Sequence, residues 1–464
     1  MSGQIISDET RQFPPVPGGE AEEQNVVPER RQENAEFLFT SAHCGVRAQG
    51  VFEQLHLPVR TPRRHSRGAG CQLADAGSCD EVFHRQLREA FARARASGIA
   101  NPIAIGAIPF DLSEPCHLAI PRSYTVYSRE LELKNSAGPG AVRAANTEPA
   151  KVLASKSVPE KARFKQAVQQ AIANFQLSDI RKAVLSRVLD VELDRPLDLD
   201  GFFARLMEQN PAAYHFSLPL VDGSQMIGAS PELLLRRQGE HVYSNPLAGS
   251  ARRRACADED RRVSEALTQS QKDAYEHRLV IEDIRAQLAP LCRELTVPDG
   301  PQLMHTRAMW HLSTPIEGVL QDPSLSALQV ACRLHPTPAL CGFPTRQARK
   351  LIQLVEPFER GLFGGIVGWC DAEGNGEWAV AIRCGIFSGN RAQLFAGAGI
   401  VEDSDPESEW QETRAKLQTM LQALDIEIDA EPGDPAAQES GSENRSHKAV
   451  RVRRTSEQEE VLPS

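Results

Sequence analysis

The sequence predicts an α+β fold with antiparallel sheets, and three observations lead to this prediction. Apolar runs typical of strands follow one another through short turns, as at 371–376, which is the pattern of β-hairpins. Helical patterns come in blocks and do not alternate with single strands, so no βαβ repeat is present. The sequence contains neither a GxGxxG segment nor a phosphate-binding loop.

Length and composition describe a globular chain and exclude several classes of partner. Of the 464 residues, 41% are hydrophobic and 25% are charged, which suits a large core. The net charge of −10 argues against nucleic-acid binding. No apolar run in the sequence is long enough to span a membrane, and we expect no signal peptide. The ten cysteines are scattered without CxxC spacing, so we expect reduced thiols in a cytoplasm and no zinc site.

The N-terminal part is predicted to contain a helix and a buried strand after a disordered start. Residues 1–34 are polar and rich in Pro, Glu and Gln, which is typical of disorder. Apolar residues between 83 and 96 are spaced for one face of a helix. The apolar segment 101–111 predicts a buried strand that runs into a turn. Ser157 and Glu160 have the spacing of a capping box, so a helix is expected to begin there.

Strands are expected to dominate the middle of the chain. Residues 182–191 form a strand-like run, and Lys182 stands at its start. By itself, a lysine in this position is typical of a solvated sheet edge. From about 258 to 294 the pattern becomes helical. A further helix is expected near 200–209, and further strands at 213–218, 225–229, 241–244 and within 303–318.

The C-terminal part combines a rigid loop, a helix and a hairpin. The Pro-rich segment 335–344 is expected to hold one shape, because proline fixes its own φ angle. A helix is predicted at 345–355, and strands at 363–370 and 377–384. Residues 430–464 are polar, have no apolar period and are expected to form a disordered tail.

Two helical stretches carry acidic residues three positions apart. Asp273 and Glu276 form one pair, Glu409 and Glu412 form the other, and each pair shares a helix face. Lys416 lies one turn beyond Glu412 on the same face. A Gly-rich strand precedes the second pair and lets a ligand approach the backbone. Such carboxylates suit a hard cation with an acidic ligand, although a solvated acidic face has the same pattern.

Five motifs in order along the chain resemble one enzyme family. They are 230–233 (SPEL), 246–250 (PLAGS), 335–340 (HPTPAL), 363–368 (FGGIVG) and 397–401 (GAGIV). The family is that of the chorismate-utilising enzymes, which includes anthranilate synthase, aminodeoxychorismate synthase, salicylate synthase and isochorismate synthase. The resemblance covers about 35–425 and is strongest to the isochorismate synthases of catechol-siderophore pathways. It implies one catalytic domain, an α/β/β/α sandwich of two large antiparallel sheets packed face to face with helices outside and the active site between the sheets.

The resemblance implies one Mg²⁺ ion that holds the carboxylate of chorismate. Glu276 and Glu412 match the metal-binding glutamates of the family. Asp273 and Glu409 match partners that reach the metal through water. Two direct carboxylates and two outer ones are sensible, because Mg²⁺ retains waters and uses few protein carboxylates.

The resemblance also implies which residues surround the substrate. Arg383 and Lys416 are placed like the cations that face its carboxylates, Arg383 as a planar fork and Lys416 as a point charge. The remaining expected lining residues are Ala248, Gly249, Ser250, His311, Ala339, Leu340, Phe363, Phe395 and Gly397.

Two residues are expected to determine the chemistry. Lys182 matches the general base that activates a water, and Glu232 matches the general acid that protonates the leaving hydroxyl. The implied reaction is attack of water at C2 of chorismate, loss of the C4 hydroxyl and a shift of the ring double bonds, which makes the enzyme an isomerase. A lysine base requires a lowered pKa and a carboxyl acid requires a raised pKa, and burial favours both.

Other members of the family remain as alternatives. Lys182 stands where enzymes that use ammonia tend to have Gln, so it favours water. Ala248 replaces the lysine nucleophile of aminodeoxychorismate synthases, so a covalent intermediate is not expected. Salicylate synthase shares both the base and the acid, and it stays open as the second interpretation. A non-catalytic chorismate-binding protein is the alternative from another class, and the intact set of candidate residues argues against it. We expect a monomer.

Overall fold

A computed structural model describes residues 33–60, 80–127, 150–426 and 428. Apart from residues 33 and 34, the segments 1–34 and 430–464, for which disorder is predicted, lie outside the described residues. In the part of the chain that the structure describes, none of the helices combines the length and the apolarity that crossing a membrane requires.

Helices and strands alternate in blocks along the described residues. The helices are α1 (Asp80–Ala96), α2 (Lys161–Leu177), α3 (Leu199–Gln209), α4 (Ala257–Gln269), α5 (Gln271–Leu288), α6 (Ala327–Leu334), α7 (Thr345–Val355) and α8 (Pro406–Leu424). The strands are β1 (Glu36–Thr40), β2 (Gly45–Leu55), β3 (Ile103–Ile108), β4 (His117–Tyr127), β5 (Val152–Val158), β6 (Lys182–Leu193), β7 (Tyr214–Pro219), β8 (Gln225–Ser230), β9 (Leu233–Gln238), β10 (His241–Asn245), β11 (Leu247–Arg252), β12 (Cys292–Thr296), β13 (Gln302–His305), β14 (Met309–Ser313), β15 (Ile316–Leu320), β16 (Gly342–Phe343), β17 (Ile366–Asp371), β18 (Gly376–Val380), β19 (Cys384–Ser388) and β20 (Arg391–Ile400).

Seventeen of these strands form one continuous antiparallel network. From one end its order is β12-β15-β10-β9-β18-β17-β3-β4, and it continues as β2-β1-β7-β8-β19-β20-β6. At the far end, β5 and β16 both pair with β6. The other three strands form a small separate sheet in the order β11-β14-β13. Sequence neighbours such as β7 and β8 pair as hairpins, as the short turns between apolar runs predict.

The two halves of the network face each other across a shared core. Ile105 and Val367 belong to the first half, and Phe216 and Phe395 belong to the second, yet all four lie in one buried cluster. Strand side chains alternate between faces, so Ala104, next to Ile105, joins a different cluster. The network is therefore two sheet layers whose inner faces pack together.

Helices cover the outer face of each layer. On the first layer, a buried cluster contains Phe83 of α1, Leu328 of α6 and Ile284 of α5. On the second layer, Phe202 of α3 and Met420 of α8 pack against β20, and α2 and α7 pack against β6. The order helix, sheet, sheet, helix is the sandwich that the family resemblance implies.

Two local predictions are wrong. Ser157 does not cap a helix: its hydroxyl donates to the carbonyl oxygen of Pro159 at 2.9 Å, and α2 begins only at Lys161. The helical stretch expected from 258 to 294 is two helices that meet at Ser270, and its last residues are strand β12. Strand β12 pairs with β15, a distant contact that overrides the local pattern.

Gly106 in β3 stands where the sheet leaves no room for a side chain. A Cβ atom there would meet the backbone carbonyl of His117 on β4, and the φ angle is +148°. Gly106→Ala is therefore expected to lower the free energy of unfolding by about 1–3 kcal/mol. Gly300→Ala is the matched control, because a Cβ at Gly300 meets nothing within 4 Å. Thermal unfolding by circular dichroism compares the variants, and equal midpoints would contradict this packing.

Candidate active site

A pocket opens where the two sheet layers are joined by crossing segments. Pro231 and Glu232 connect β8 to β9, and Ile382 and Arg383 connect β18 to β19. Both segments pass from one layer to the other and lie together, because the amide of Val380 donates to the carbonyl oxygen of Glu232 at 3.1 Å. The predicted site residues that line the pocket are Glu232, Ala248, Gly249, Ser250, Glu276, His311, Ala339, Leu340, Phe363, Arg383, Phe395, Gly397 and Lys416.

The other four predicted residues lie next to this lining. Lys182 and Glu412 are ion-paired to lining residues, Lys182 to Glu276 and Glu412 to Lys416. Asp273 and Glu409 lie one helical turn before Glu276 and Glu412, respectively. The structure therefore brings the whole predicted set into one region.

Lys182 is fully buried, which rules out a solvated edge lysine at this position. Its Nζ lies 2.9 Å from Oε1 of Glu276 on α5. A Cβ atom at Gly399 of β20 would meet that same carboxylate, so glycine is what lets Glu276 reach Lys182. Burial alone raises the pKa of Glu276, but the nearby ammonium groups of Lys182 and Lys272 outweigh it, and the pKa is lowered.

Glu232 has the opposite electrostatic balance. Its side chain is buried, with only 2% of the residue exposed. Burial raises the pKa of Glu232 to about 7, against smaller lowering effects from the amide of Leu247 and from Lys182 and Arg383. The carboxyl group can therefore hold its proton near neutral pH, as the sequence analysis expects.

Helices α5 and α8 bring acidic side chains into a lysine-bridged cluster. Nζ of Lys272 lies 2.7 Å from Oε1 of Glu409. Burial raises the pKa of Glu409 to about 7, and the charge of Glu412 adds to that rise. The hydroxyl of Ser270, which caps α5, donates to Oδ2 of Asp273 at 2.5 Å. Burial, with the nearby charge of Glu276, raises the pKa of Asp273.

This acidic cluster fits a magnesium ion. Burial, and after it the charge of Glu412, disfavours the carboxylate form of Glu409, and a bound divalent cation would offset both effects. Over the described ranges, no three His, Cys, Asp or Glu side chains converge in a metal-binding group. Mg²⁺ ordinarily retains several waters and uses one or two protein carboxylates, so such a site does not require three converging side chains.

Cationic and aromatic groups complete the pocket. Arg383 has a left-handed backbone (φ +49°), and its Nε and Nη2 have no hydrogen-bond partner within the described residues. Burial lowers the pKa of Arg383 to about 10, which leaves it charged. Nζ of Lys416 donates to the carbonyl oxygen of Gly397 at 2.8 Å. The rings of Phe363 and Phe395 stack 5.1 Å apart and form an apolar wall.

His311 contributes a neutral imidazole. It lies on β14 of the small sheet, and its Nε2 has no hydrogen-bond partner within the described residues. Burial lowers the pKa of His311 well below its usual range, and the charges of Arg383 and Lys416 act in the same direction.

Sequence reasoning missed several residues of this region. Lys272 lies one helical turn before Glu276, so helical spacing could have identified it as a partner of the acidic cluster. Arg360 lines the pocket and pairs with Glu356 four positions earlier, a spacing that is far more common on solvated helices. Ser186 also lines the pocket, and no sequence signal marks it.

Known proteins resemble the chain over most of its length. Isochorismate synthase EntC of Escherichia coli (strain K12) is 45% identical over 390 residues, which cover 84% of this chain and 95% of that protein. Isochorismate synthase DhbC of Bacillus subtilis (strain 168) is 37% identical over 418 residues, which cover 87% and 99%. The crystal structure of DhbC from Bacillus anthracis, a candidate 2,3-dihydroxybenzoate-specific isochorismate synthase, has a TM-score of 0.75 and 36% identity over 85% of this chain and 97% of its own.

A more distant structure shares the fold alone. Anthranilate synthase component I from Streptococcus pneumoniae TIGR4 has a TM-score of 0.63 at 22% identity and covers 82% of this chain and 92% of its own. The family model described as chorismate binding enzyme matches residues 124–425, the range that contains all the pocket residues named above. This family match agrees with the relatives that are 37–45% identical. The chain therefore belongs to the family of chorismate binding enzymes.

Proposed function

We propose that the protein is an isochorismate synthase, an isomerase that converts chorismate to isochorismate. Water adds at C2 of the ring, the C4 hydroxyl leaves as water, and the ring double bonds shift. The observation that carries this proposal is a buried carboxyl with a pKa of about 7, Glu232, and a buried lysine, Lys182, at one pocket. The relatives with 37–45% identity that are named isochorismate synthases support it. The catalytic unit in this proposal is residues 35–425.

Glu232 is suited to be the general acid. Its protonated form is available near neutral pH because burial disfavours the carboxylate. In the forward direction it would give its proton to the C4 oxygen, so that the hydroxyl departs as water rather than as hydroxide. The same carboxylate would take a proton back in the reverse direction.

Lys182 is suited to be the general base. Its buried Nζ lies 2.9 Å from Oε1 of Glu276. A neutral Lys182 would take one proton from a water as that water attacks C2. The one proton that Lys182 gains and the one that Glu232 loses balance, so the reaction needs no net acid or base.

Two cations are suited to hold the carboxylates of the substrate. Nε and Nη2 of Arg383, which have no hydrogen-bond partner in the described part of the chain, offer two parallel donors in the pocket. Lys416 adds a point charge, fixed by its contacts with Gly397 and Glu412. In the proposed site, Glu276 and Glu412 would hold Mg²⁺ directly, and Asp273 and Glu409 would contribute through water. When bound, the ion would supply positive charge that binds a substrate carboxylate.

The proposed role is in the biosynthesis of a catechol siderophore. One relative is named vibriobactin-specific isochorismate synthase and is 40% identical over 77% of this chain, and DhbC of Bacillus anthracis is described through 2,3-dihydroxybenzoate. The proposal includes a cytoplasmic monomer. Seven cysteines within the described residues are free thiols, which suits a reducing compartment: Cys44, Cys116, Cys256, Cys292, Cys341, Cys370 and Cys384.

The product distribution tests this function directly. Purified protein with Mg²⁺ is expected to equilibrate chorismate with isochorismate and to release little pyruvate. Liquid chromatography follows both isomers, and a lactate dehydrogenase assay detects pyruvate. Stoichiometric pyruvate with salicylate would identify a salicylate synthase instead, and no turnover would favour a non-catalytic binding protein.

Removal of the metal is expected to abolish turnover. Chelation by EDTA should stop the reaction and added Mg²⁺ should restore it, because the acidic cluster cannot bind an anionic substrate without a cation. Glu276→Gln and Glu412→Gln should each lose nearly all turnover and keep the circular dichroism spectrum of the parent. Full activity of either variant in EDTA would contradict the metal assignment. Glu359→Gln, at an exposed glutamate, is the matched control.

Loss of the acid or the base is expected to lower kcat far more than it changes KM. Lys182→Ala and Glu232→Gln should each reduce kcat by about 10²–10⁴, the usual effect of a positioned acid or base. Both directions should suffer equally, since they use the same two groups. Lys350→Ala, at an exposed lysine, should behave as the parent. A large rise in KM with kcat unchanged would show that the two residues only bind substrate.

A further inference from the structure

Strand β6 has an uncovered stretch beside the pocket. One edge of β6 pairs with β20 from Ala183 to Glu192. The other edge pairs with β16 at Lys182 and Ala183, and with β5 from Val188 to Leu193. On this second edge, residues 184–187 have no neighbouring strand within the described residues, although the amide of Val184 donates to the carbonyl oxygen of Cys341 at 2.9 Å. The stretch includes Val184 and Ser186, which line the pocket on the same strand face as Lys182.

An ion pair covers this stretch in place of a strand. The carboxylate of Glu356 accepts the amide of Ser186 at 2.7 Å. The guanidinium of Arg360 donates to the carbonyl oxygen of Val184 at 2.7 Å. Glu356 and Arg360 bind each other through two contacts, of 2.6 and 2.8 Å, and each side chain is only 4% exposed. Together they give β6 the donor and the acceptor that a neighbouring strand would give.

The same pair also holds the loop across the pocket. Nη1 of Arg360 donates to the carbonyl oxygen of Leu340 at 2.8 Å. The guanidinium lies 4.5 Å from the ring centre of Phe110, which fixes its plane further. One guanidinium thus links the backbone of β6 to the backbone of the loop that contains Ala339 and Leu340.

We infer that Glu356 and Arg360 are positioning residues for the proposed reaction. They set the distance between the pocket face of β6, which carries Lys182, and the Ala339–Leu340 loop, and they act through backbone groups without touching the reacting atoms. The inference rests on the proposed function for its activity measurement only. A pair that merely stabilised the fold could be replaced by apolar residues without loss of activity.

A double substitution separates positioning from stability. Glu356→Leu or Arg360→Met alone leaves a buried charge without a partner and should lower the thermal midpoint strongly. The double variant E356L/R360M removes both charges and should regain much of that midpoint. Its kcat/KM should still be about 10–100-fold below the parent, because no donor joins Val184 to Leu340. Arg360→Lys keeps the charge but reaches fewer acceptors. Its kcat/KM should lie between that of the parent and that of the double variant.

Hydrogen exchange measures the backbone effect without substrate. The amide of Ser186 should exchange slowly in the parent and in Glu356→Gln, which keeps an acceptor oxygen, and fast in E356L/R360M. The matched control is R278M/E282Q, an exposed pair of the same spacing at 3.8 Å, which should change neither activity nor exchange. A double variant with parental kcat/KM, or with a protected Ser186 amide, would overturn the inference. Because the exchange needs no chorismate, its outcome is independent of whether the proposed function holds.

Discussion

The buried contact between Lys182 and Glu276 is the constraint on which the rest of the site depends. A fully buried ammonium is tolerated only with a partner, so β6 and α5 must approach until Nζ and Oε1 are 2.9 Å apart. That approach leaves no room for a side chain at position 399 of β20, and glycine occupies this position. The pairing of β6 with β20 then sets Val184 opposite Gly399 and Ser186 opposite Gly397, all on the face that carries Lys182. One electrostatic requirement thus links a helix, two strands and a glycine.

Burial alone does not determine the protonation state of the site carboxyls. Glu232 and Glu276 are both buried, yet the pKa of Glu232 is raised to about 7 and that of Glu276 is lowered. The difference lies in their neighbours: Glu276 has an ammonium in direct contact, whereas the cations near Glu232 lower its pKa only in part. Environments that separate the pKa values of similar groups are how one pocket provides both an acid and an anion.

Local patterns predicted elements well and long-range contacts poorly. The strand that begins at Lys182, the helix at 345–355 and the two acidic helix faces follow from spacing alone. The sandwich of two sheets came from the family resemblance, because the pairing of β6 with β20 joins residues about 200 positions apart and no local pattern encodes it. The role of Arg360 is not predictable for the same reason, because its carbonyl partners at Val184 and Leu340 are distant in sequence and come close only in the folded chain. The spacing of Ser157 and Glu160 predicts a helix cap, but Ser157 belongs to strand β5 and its hydroxyl donates to the carbonyl oxygen of Pro159.

The central proposal is that Lys182 activates the water that attacks C2 and Glu232 protonates the C4 oxygen, and we expect the two side chains to lie on opposite sides of the ring. A crystal structure of Glu232→Gln with chorismate and Mg²⁺ tests it most directly, because that variant should bind the substrate and convert it slowly. We predict that the side chain at 232 lies within hydrogen-bond distance of the C4 oxygen, and that a water lies between C2 and Nζ of Lys182 on the other face. A ring with both side chains on the same face, or with Lys182 bound to a substrate carboxylate, would contradict the account.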